Sequence, residues 1–496
     1  MEIGYEYNHP GIILAVNGAD MKRLILFSLI LSCNIHLFAQ GQYNNWHFGI
    51  NNAISFNAGY PAVVNNSQII SEEACATISD STGNLLFYTN GDTIWCRDNS
   101  IMPDGTGLSG RPNIQQGVLI VPLPGTTNIY YVFTIGKSRS SNSRELSYSI
   151  INMTLNDSLG DVSSKNTLLD SNVTEKLTAT KNGDDSDFWI VEKNLYSNAF
   201  KAYSLTSTGL DTVPVVSAVG VPIQKDDYTG AIKISNNGCW LISTIRGIFG
   251  DPGIVELFHF DNIGGTVYDG VSTTSIQHPY GLEFSPNSSK FYIGENDIKP
   301  IWQFNLNAGN ESDDIQSKIP VSEIIDTTYD FQLAPDNTIY IVTNDSTILA
   351  RIANPNSYGF SCNIEDSAVT GLYSNTFCLP NNFNLTYRGL LSCDAGQRCF
   401  DVDDLNMASA FTPNGDGHND CYGIKYKHGD SLHIIDFSIY NRWGNQVFYT
   451  TNVFDCWDGT YKGKMQDPGV FVYEAKVVFL DDHTRTTMKG SITLVR

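Results

Sequence analysis

Basic residues are scarce in this chain: 30 Lys and Arg stand against 52 Asp and Glu over 496 residues, a formal net charge of −22. Such a surface repels phosphate backbones, so nucleic acid is excluded as a partner. It suits a solvated protein and could favour divalent cations, the solvated surface being the plainer reading. Long apolar runs are missing too. No run of 18 apolar residues occurs after Leu31, and the mature chain is expected to hold no transmembrane segment. Helical periodicity is absent through the long central part. No HExxH, P-loop, GxGxxG or nucleophile elbow occurs, which removes the chemistry those motifs carry.

The opening residues are of two kinds. Residues 1–20 carry Asp and Glu and read as a spurious extension, with Met21 as the start. Met21-Lys22-Arg23, the apolar Leu24 to Leu31, and Leu37-Phe38-Ala39 form the three parts of a signal peptide over 21–39, cut after Ala39. Its apolar run is shorter than the roughly 20 residues that span a bilayer. Cys33 sits where a lipoprotein cysteine could, but Leu31 fits that signal poorly. Ten cysteines, nine of them beyond the signal, suit an oxidising compartment, and an odd mature count leaves at least one unpaired.

About 340 residues follow, too many for one ordinary core, so internal repeats are the next question. Six segments share one pattern: an apolar strand, a Ser/Asp/Asn/Pro/Gly turn, then a second apolar or aromatic strand. They lie at 76–89, 118–134, 177–192, 231–244, 281–295 and 331–343, and most run on into a third strand. A sheet of this size cannot bury both faces alone, but a closed ring of them can. The expectation over 41–390 is an all-β propeller of about seven blades, six to eight being possible. WHFGINNAISF (46–56) and TFCLPNNF (376–383) remain at the two ends, which suggests closure by joining the termini. Tips of Asp-Gly character supply positive φ, and flanking aromatics fill the space between sheets.

After a linker at 391–406, residues 407–496 read as a small β-sandwich. Ile434 to Tyr440 and Gln446 to Thr450 flank a Gly444-Asn445 turn, a hairpin. Asp467-Pro468-Gly469 is expected to turn with Gly469 at positive φ. Val470 to Leu480 alternates, with Phe471, Tyr473, Ala475, Val477 and Phe479 on one face and Glu474 and Lys476 on the other. Ser491 to Val495 makes a last short strand.

Two resemblances follow from these strings. FTPNGDGHND, IYNRWGNQVF, WDG, PGVFVY and the terminal KGSITLVR, in that order over about Leu405 to Arg496, resemble the type B C-terminal sorting domain. That is the gliding-motility-associated C-terminal domain of the type IX secretion system in Bacteroidetes. The resemblance implies recognition by the outer-membrane secretion machinery, then release or retention at the cell surface. Cys421 and Cys456 depart from its pattern and suggest a private disulfide between them. WHFG, ACATISDSTGNLLFYTNGDTIW, PDGTGL, QGVLIVPLPGTTNIYYVFT, PYGLEFSPNSSKFYI and LAPDNTIYI resemble WD40-like propeller regions, which implies fold and context rather than activity.

Candidate sites are few. Asn414, Asp416 and Asp420 place oxygen arms at alternate positions of a Gly-rich loop, as calcium loops do. The distal bidentate Glu is lacking, and Asx turns account for the same residues. No other cofactor is indicated. Cys393 and Cys399 are spaced for a local disulfide loop, Cys362 and Cys378 flank the last propeller segment and could pair, and Cys75, Cys96 and Cys239 read as buried thiols. A bond between Cys75 and Cys96 is not expected. The paired acids Asp184-Asp185 and Asp226-Asp227, and the lone Glu283, make weak glycosidase candidates, since neighbours in sequence point to opposite faces or lie in turns.

The expected function is an exported propeller, at the outer cell surface or released, that binds a polysaccharide or an envelope or surface protein. The alternatives are a propeller enzyme of lyase, hydrolase or lactonase type working at the central channel, and a structural adhesin or motility component. Convergence of Asp227, Glu283 and Asp330 with a His in the channel would favour the enzyme.

Overall fold

A computed structural model describes residues 41–64, 66–137, 143–183, 185–223, 229–247, 252–295, 300–306, 308, 311–322, 325, 327–374, 377–383, 405–414, 419–426, 432–451, 455–479 and 485–495. The signal peptide, Cys33, the pair Cys393 and Cys399, Asp184, Asp226, Asp227 and Asp416 lie outside these residues. Strand is the main regular structure of the described chain, laid out as sheets in sequence order and antiparallel except where Ala410–Phe411 pairs with the last strand.

The first sheet has three strands, Asn45–Phe48, Asn52–Ser55 and Ala62–Val63. A four-stranded sheet follows, from Ala76–Ser79 out to Ile101–Thr106. Next comes an eight-stranded sheet built from two four-stranded halves with one strand in common, plus the two-residue strand Gly209–Leu210. The halves share the 21-residue strand Asp161–Lys181. Its first part pairs with Arg144–Asn152 and its last part with Phe188–Asn194, with a register break between Val173 and Leu177. Three more four-stranded sheets begin at Ile232–Ile234, Pro279–Phe284 and Thr328–Leu333. Counting the fused sheet as two, seven units succeed one another.

The turns explain why each unit folds where it does. Gly83, Gly238, Ser288 and Asn337 take positive φ at equivalent tips between first and second strands. Just before three of them, Asn237, Asn287 and Asp336 accept the backbone N–H two residues on, at 3.2, 3.1 and 3.1 Å. These are the Asx devices that the Ser/Asp/Asn-rich tips promised.

Sheets pack on sheets through apolar and aromatic side chains, and each cluster joins neighbours. Phe87 meets Tyr130 edge-on at 5.6 Å between the second and third units, and Phe200 meets Phe258 at 5.0 Å between the fourth and fifth. Ile242, Leu257, Phe284, Phe291 and Phe304 form one cluster across the fifth and sixth. Burying side chains of this size stabilises by about 1.5–3 kcal/mol each, none of it available to a lone sheet. One cluster joins the first unit to the last: Trp46 meets Tyr340 at 5.9 Å, with Phe48, Phe56 and Leu349 around them. The ends of the series therefore meet, as a propeller requires.

Of TFCLPNNF, the described residues form no strand ladder. Its residues 377–383 run against the innermost strands instead, as described below. The first unit was legible only as a leftover, because its strands are short and one is two residues long.

The C-terminal residues fold as expected around a five-stranded sheet, with Phe411, Tyr422, Phe437, Trp457, Phe471 and Val477 in its core. Leu432–Tyr440 pairs with Gln446–Thr450 across Gly444, which takes φ 81°. Phe471, Ala475 and Val477 are buried while Glu474 pairs outward with Lys476 and Lys489. Two expectations are corrected. Gly469 is not at positive φ and begins the strand Gly469–Phe479 itself. The last strand is long, Arg485–Leu494, because it pairs along that whole neighbour. No helix among the described residues is long and apolar enough to cross a membrane.

The cysteines sort differently from their spacing. Cys421 and Cys456 are bonded, with Cα atoms 5.5 Å apart. Cys362 and Cys378 are not partners. Cys362 packs in the sixth–seventh unit cluster and Cys378 in the cluster that joins the first and last units. Cys75 and Cys96 are separate buried thiols, as expected. Cys239 is disulfide-bonded, correcting its reading as a thiol.

Candidate functional site

The innermost strands of neighbouring units lie side by side around a centre, and the chain fills that centre itself. Phe377 N–H donates to Glu72 O at 2.9 Å, and Leu379 N–H to the Asp330 carboxylate at 2.9 Å. Asn381 N–H donates to Cys75 O at 2.9 Å, while its side-chain amide reaches Val118 O at 3.2 Å and Leu177 O at 3.0 Å. One residue thereby ties three units together. Lys233 Nζ donates to Gln332 Oε1 at 2.8 Å and Asn382 O at 3.3 Å, and lies 3.1 Å from Glu283 Oε2. Phe383 closes the segment against Phe188 and Tyr43.

Glu283 and Asp330 therefore do lie in the channel, but their oxygens are already used. Glu283 accepts the N–H of Leu333 at 3.1 Å, and Asp330 that of Phe331 at 2.9 Å. Burial lifts the Asp330 carboxyl to about 6 against the pull of Lys233. Among the described residues no histidine joins them. His47 stacks on Tyr88 at 4.0 Å, bonds Ser67, and is held neutral by burial, its pKa down to about 3. His259 lies between Trp240 and Tyr268 and meets Glu311 at 3.1 Å. Both are packing residues. His278 bonds Gly247 O at 3.1 Å, nearer the channel mouth.

A second constellation gathers where the innermost strands begin. Arg144 pairs with Glu175, which is almost wholly buried. Tyr280 Oη donates to Glu73 at 3.4 Å, and the Arg246 guanidinium lies 5.8 Å from the Tyr280 ring centre. Lys176 Nζ donates to Thr229 O at 3.2 Å, and Gln115 Oε1 accepts Gly230 N–H at 3.2 Å. Gly230 is needed there: at φ +120° a Cβ would stand 2.1 Å from Thr244 O. The amide nitrogen of Gln115 is buried and has no hydrogen-bond partner among the described residues.

Electrostatics at this mouth favour protonated acids. Burial raises Glu175 to about 7, the Arg144 guanidinium opposing it and Glu73 adding to it. Glu73 is raised by burial too, with Tyr280 working against the shift. Tyr280 is pushed well up by burial and then by the two acids. Two carboxyls, a tyrosine and two arginines from five units thus share one pocket of charge.

None of these mouth residues stood out in the sequence. The signal that could have found them is positional: Glu73, Gln115, Glu175, Thr229 and Tyr280 each sit one to three residues ahead of an aligned repeat segment. As for the calcium candidates, Asp420 accepts the backbone N–H of Asn414 at 3.0 Å, a turn contact, and Asp416 is outside the described residues. No three His, Cys, Asp or Glu side chains gather as a metal set among the described residues.

Sheets in cyclic succession, each sharing its core with the next, make the long N-terminal part a propeller, and a separate core lies under the tail. Residues 405–494 match the model of the CHU_C Type IX secretion signal domain. The chain is therefore one marked for export, to the cell surface or beyond it, by the type IX secretion machinery. No curated protein matches it in sequence. Solved structures similar to it include a provisionally assigned 6-phosphogluconolactonase from Bacteroides uniformis, at 11% identity and TM-score 0.46 over 68% of this chain and 99% of that one. A quinoprotein alcohol dehydrogenase-like protein from Bacteroides thetaiotaomicron is similar at 12% identity and TM-score 0.34, over 69% and 76%. The propeller rests on the sheet order above, not on these likenesses.

Proposed function

We propose that this exported chain is a seven-bladed binding propeller. Its ligand is a polysaccharide or an envelope or surface protein, taken on the face where Glu73, Arg144, Glu175, Arg246 and Tyr280 meet. The leader at 21–39 is removed on export, the ring spans 41–390, and the tail from 407 serves as the address. The observation that carries the reading is the filled channel. Its acids and its lysine bind one another and the segment 377–383, so that among the described residues no histidine joins them in the centre, which favours recognition at the mouth.

One observation favours the enzyme alternative: a Glu175 carboxyl poised near neutrality beside a second acid and a tyrosine is suited to proton transfer. The two are separated with the full mature chain on glycan arrays and on cell-surface fractions. Retention without product release, lost in an Arg144→Glu/Arg246→Glu variant that keeps its circular dichroism, is the expected result. Retention unchanged in that variant would overturn the assignment of the face, and turnover lost in Glu175→Gln would replace binder by enzyme. Deleting 405–496 should strand the protein in the periplasm, and equal release of the shortened chain would contradict the address role.

A further inference from the structure

We infer that Cys75 and Cys378 become a disulfide in the exported protein, clasping the seam at which the ring closes. The two sulfurs lie 3.4 Å apart, 303 residues apart in sequence. Cys75 immediately precedes the innermost strand of the second unit, Ala76–Ser79. Cys378 belongs to the segment that fills the channel, and both lie in the cluster that unites the first, second and last units.

The backbone around them is already fixed in register. Phe377 N–H donates to Glu72 O and Asn381 N–H to Cys75 O, each at 2.9 Å, so the two chains are pinned on either side of the sulfur pair. A disulfide needs its sulfurs at about 2.0 Å. Small rotations about the two Cα–Cβ bonds cover the remaining distance and leave those hydrogen bonds in place. A pair of thiols facing each other this way gains no hydrogen bond worth keeping, since S–H is a weak donor. Beyond Cys75, Cys378 Sγ approaches Ser71 Oγ at 3.7 Å, a long contact for a thiol donor.

The compartment supplies the chemistry. The sorting domain sends the chain through an oxidising space, and the Cys421–Cys456 bond shows a disulfide already in the same polypeptide. The oxidant is a disulfide donor of that space, R–S–S–R. One thiolate attacks it, forming a mixed disulfide and releasing one RSH. The second thiolate then attacks the cysteine sulfur of the mixed disulfide, releasing the other RSH. Two cysteine protons leave with the two RSH, and two electrons pass from the cysteines to the donor. Both thiols are buried once the segment is seated, so exchange occurs as residues 377–383 dock, and the finished bond is shielded from reductants. The clasp rests on export and not on the ligand reading.

The test is a peptide map of the full mature chain, refolded with oxidised glutathione, unfolded without reductant and alkylated. A linked peptide joining Cys75 to Cys378, with Cys96 and Cys362 alkylated, is expected. Alkylation of both Cys75 and Cys378 would overturn the proposal. A second measurement guards against a variant that folds poorly. In a Cys421→Ser/Cys456→Ser background, protein unfolded and refolded with dithiothreitol throughout should melt several degrees below the same protein refolded oxidised, a larger difference than when Cys378→Ala is added. An equal shift in the two would also overturn it.

Discussion

The sharpest consequence of the filled channel concerns Lys233. Its ammonium stands between Glu283, Gln332 and the Asn382 carbonyl, with Lys233 and Glu283 side chains each 6% exposed. Lys233→Met keeps the apolar stem and removes the charge. Glu283 is then left as a buried carboxylate with backbone N–H donors alone, from Leu333 and Phe284. Stripping one partner from a buried pair costs about 3–5 kcal/mol. At about 2 °C per kcal/mol for a domain of this size, Tm should fall by roughly 6–10 °C. Glu283→Gln in the same background removes the stranded charge and should recover most of the loss, the remainder being the hydrogen bonds to Gln332 and Asn382. Differential scanning calorimetry on the four proteins of this cycle measures the coupling directly. A Lys233→Met loss under about 1 kcal/mol, or no recovery in the double variant, would refute the idea that the centre is held by this charge network.

Other outcomes follow from the same geometry. Lys193 and Glu256 are both fully buried at the joint of the fourth and fifth units, 2.6 Å apart, with the ammonium 4.4 Å from the Phe200 ring centre. Glu256→Ala should cost about 3–5 kcal/mol in calorimetry, whereas a paired Lys193→Met/Glu256→Leu change should cost far less. The folded Glu175 holds its proton up to about 7, above its unfolded value, so its share of stability is full at low pH and drains as pH rises from the ordinary carboxylate range through 7. A Tm series from pH 4.5 to 8 should accordingly be flatter for Glu175→Gln than for the parent. Asn381→Ala orphans two buried carbonyls, Val118 O and Leu177 O, and should cost about 2–4 kcal/mol by urea titration. Opening the Cys421–Cys456 bridge releases a loop of 35 residues and should lower the stability of the tail by about 2–4 kcal/mol, read by near-ultraviolet dichroism.

The units themselves were legible because alternation and Asx tips are local signals: a strand such as Ile339–Thr343 announces itself together with Asp336 and Asn337. The tail was legible for the same reason and because its strings are distinctive. What escaped was set by distance along the chain. Cys378 faces Cys75 rather than Cys362, and Arg144 faces Glu175, because ring closure and strand order bring them together, and neither is written in spacing. Glu283 and Asp330 were named only as residues whose convergence with a His would mark an enzyme, and their bonds to Lys233 and Leu379 depend on an end segment whose place in the centre no local pattern shows.

The strand Asp161–Lys181 has a consequence for how this molecule comes apart. Other neighbours are joined by turns, side chains and isolated backbone bonds such as Gly183 N–H to Asn262 O at 2.9 Å, but here a single run of backbone is hydrogen-bonded along its length into two sheets. Deuterium uptake should therefore release the amides from Val118 to Ala218 as one cooperative block. Under force or heat that double sheet would be the last piece of the circle to yield, a keystone cut from two stones.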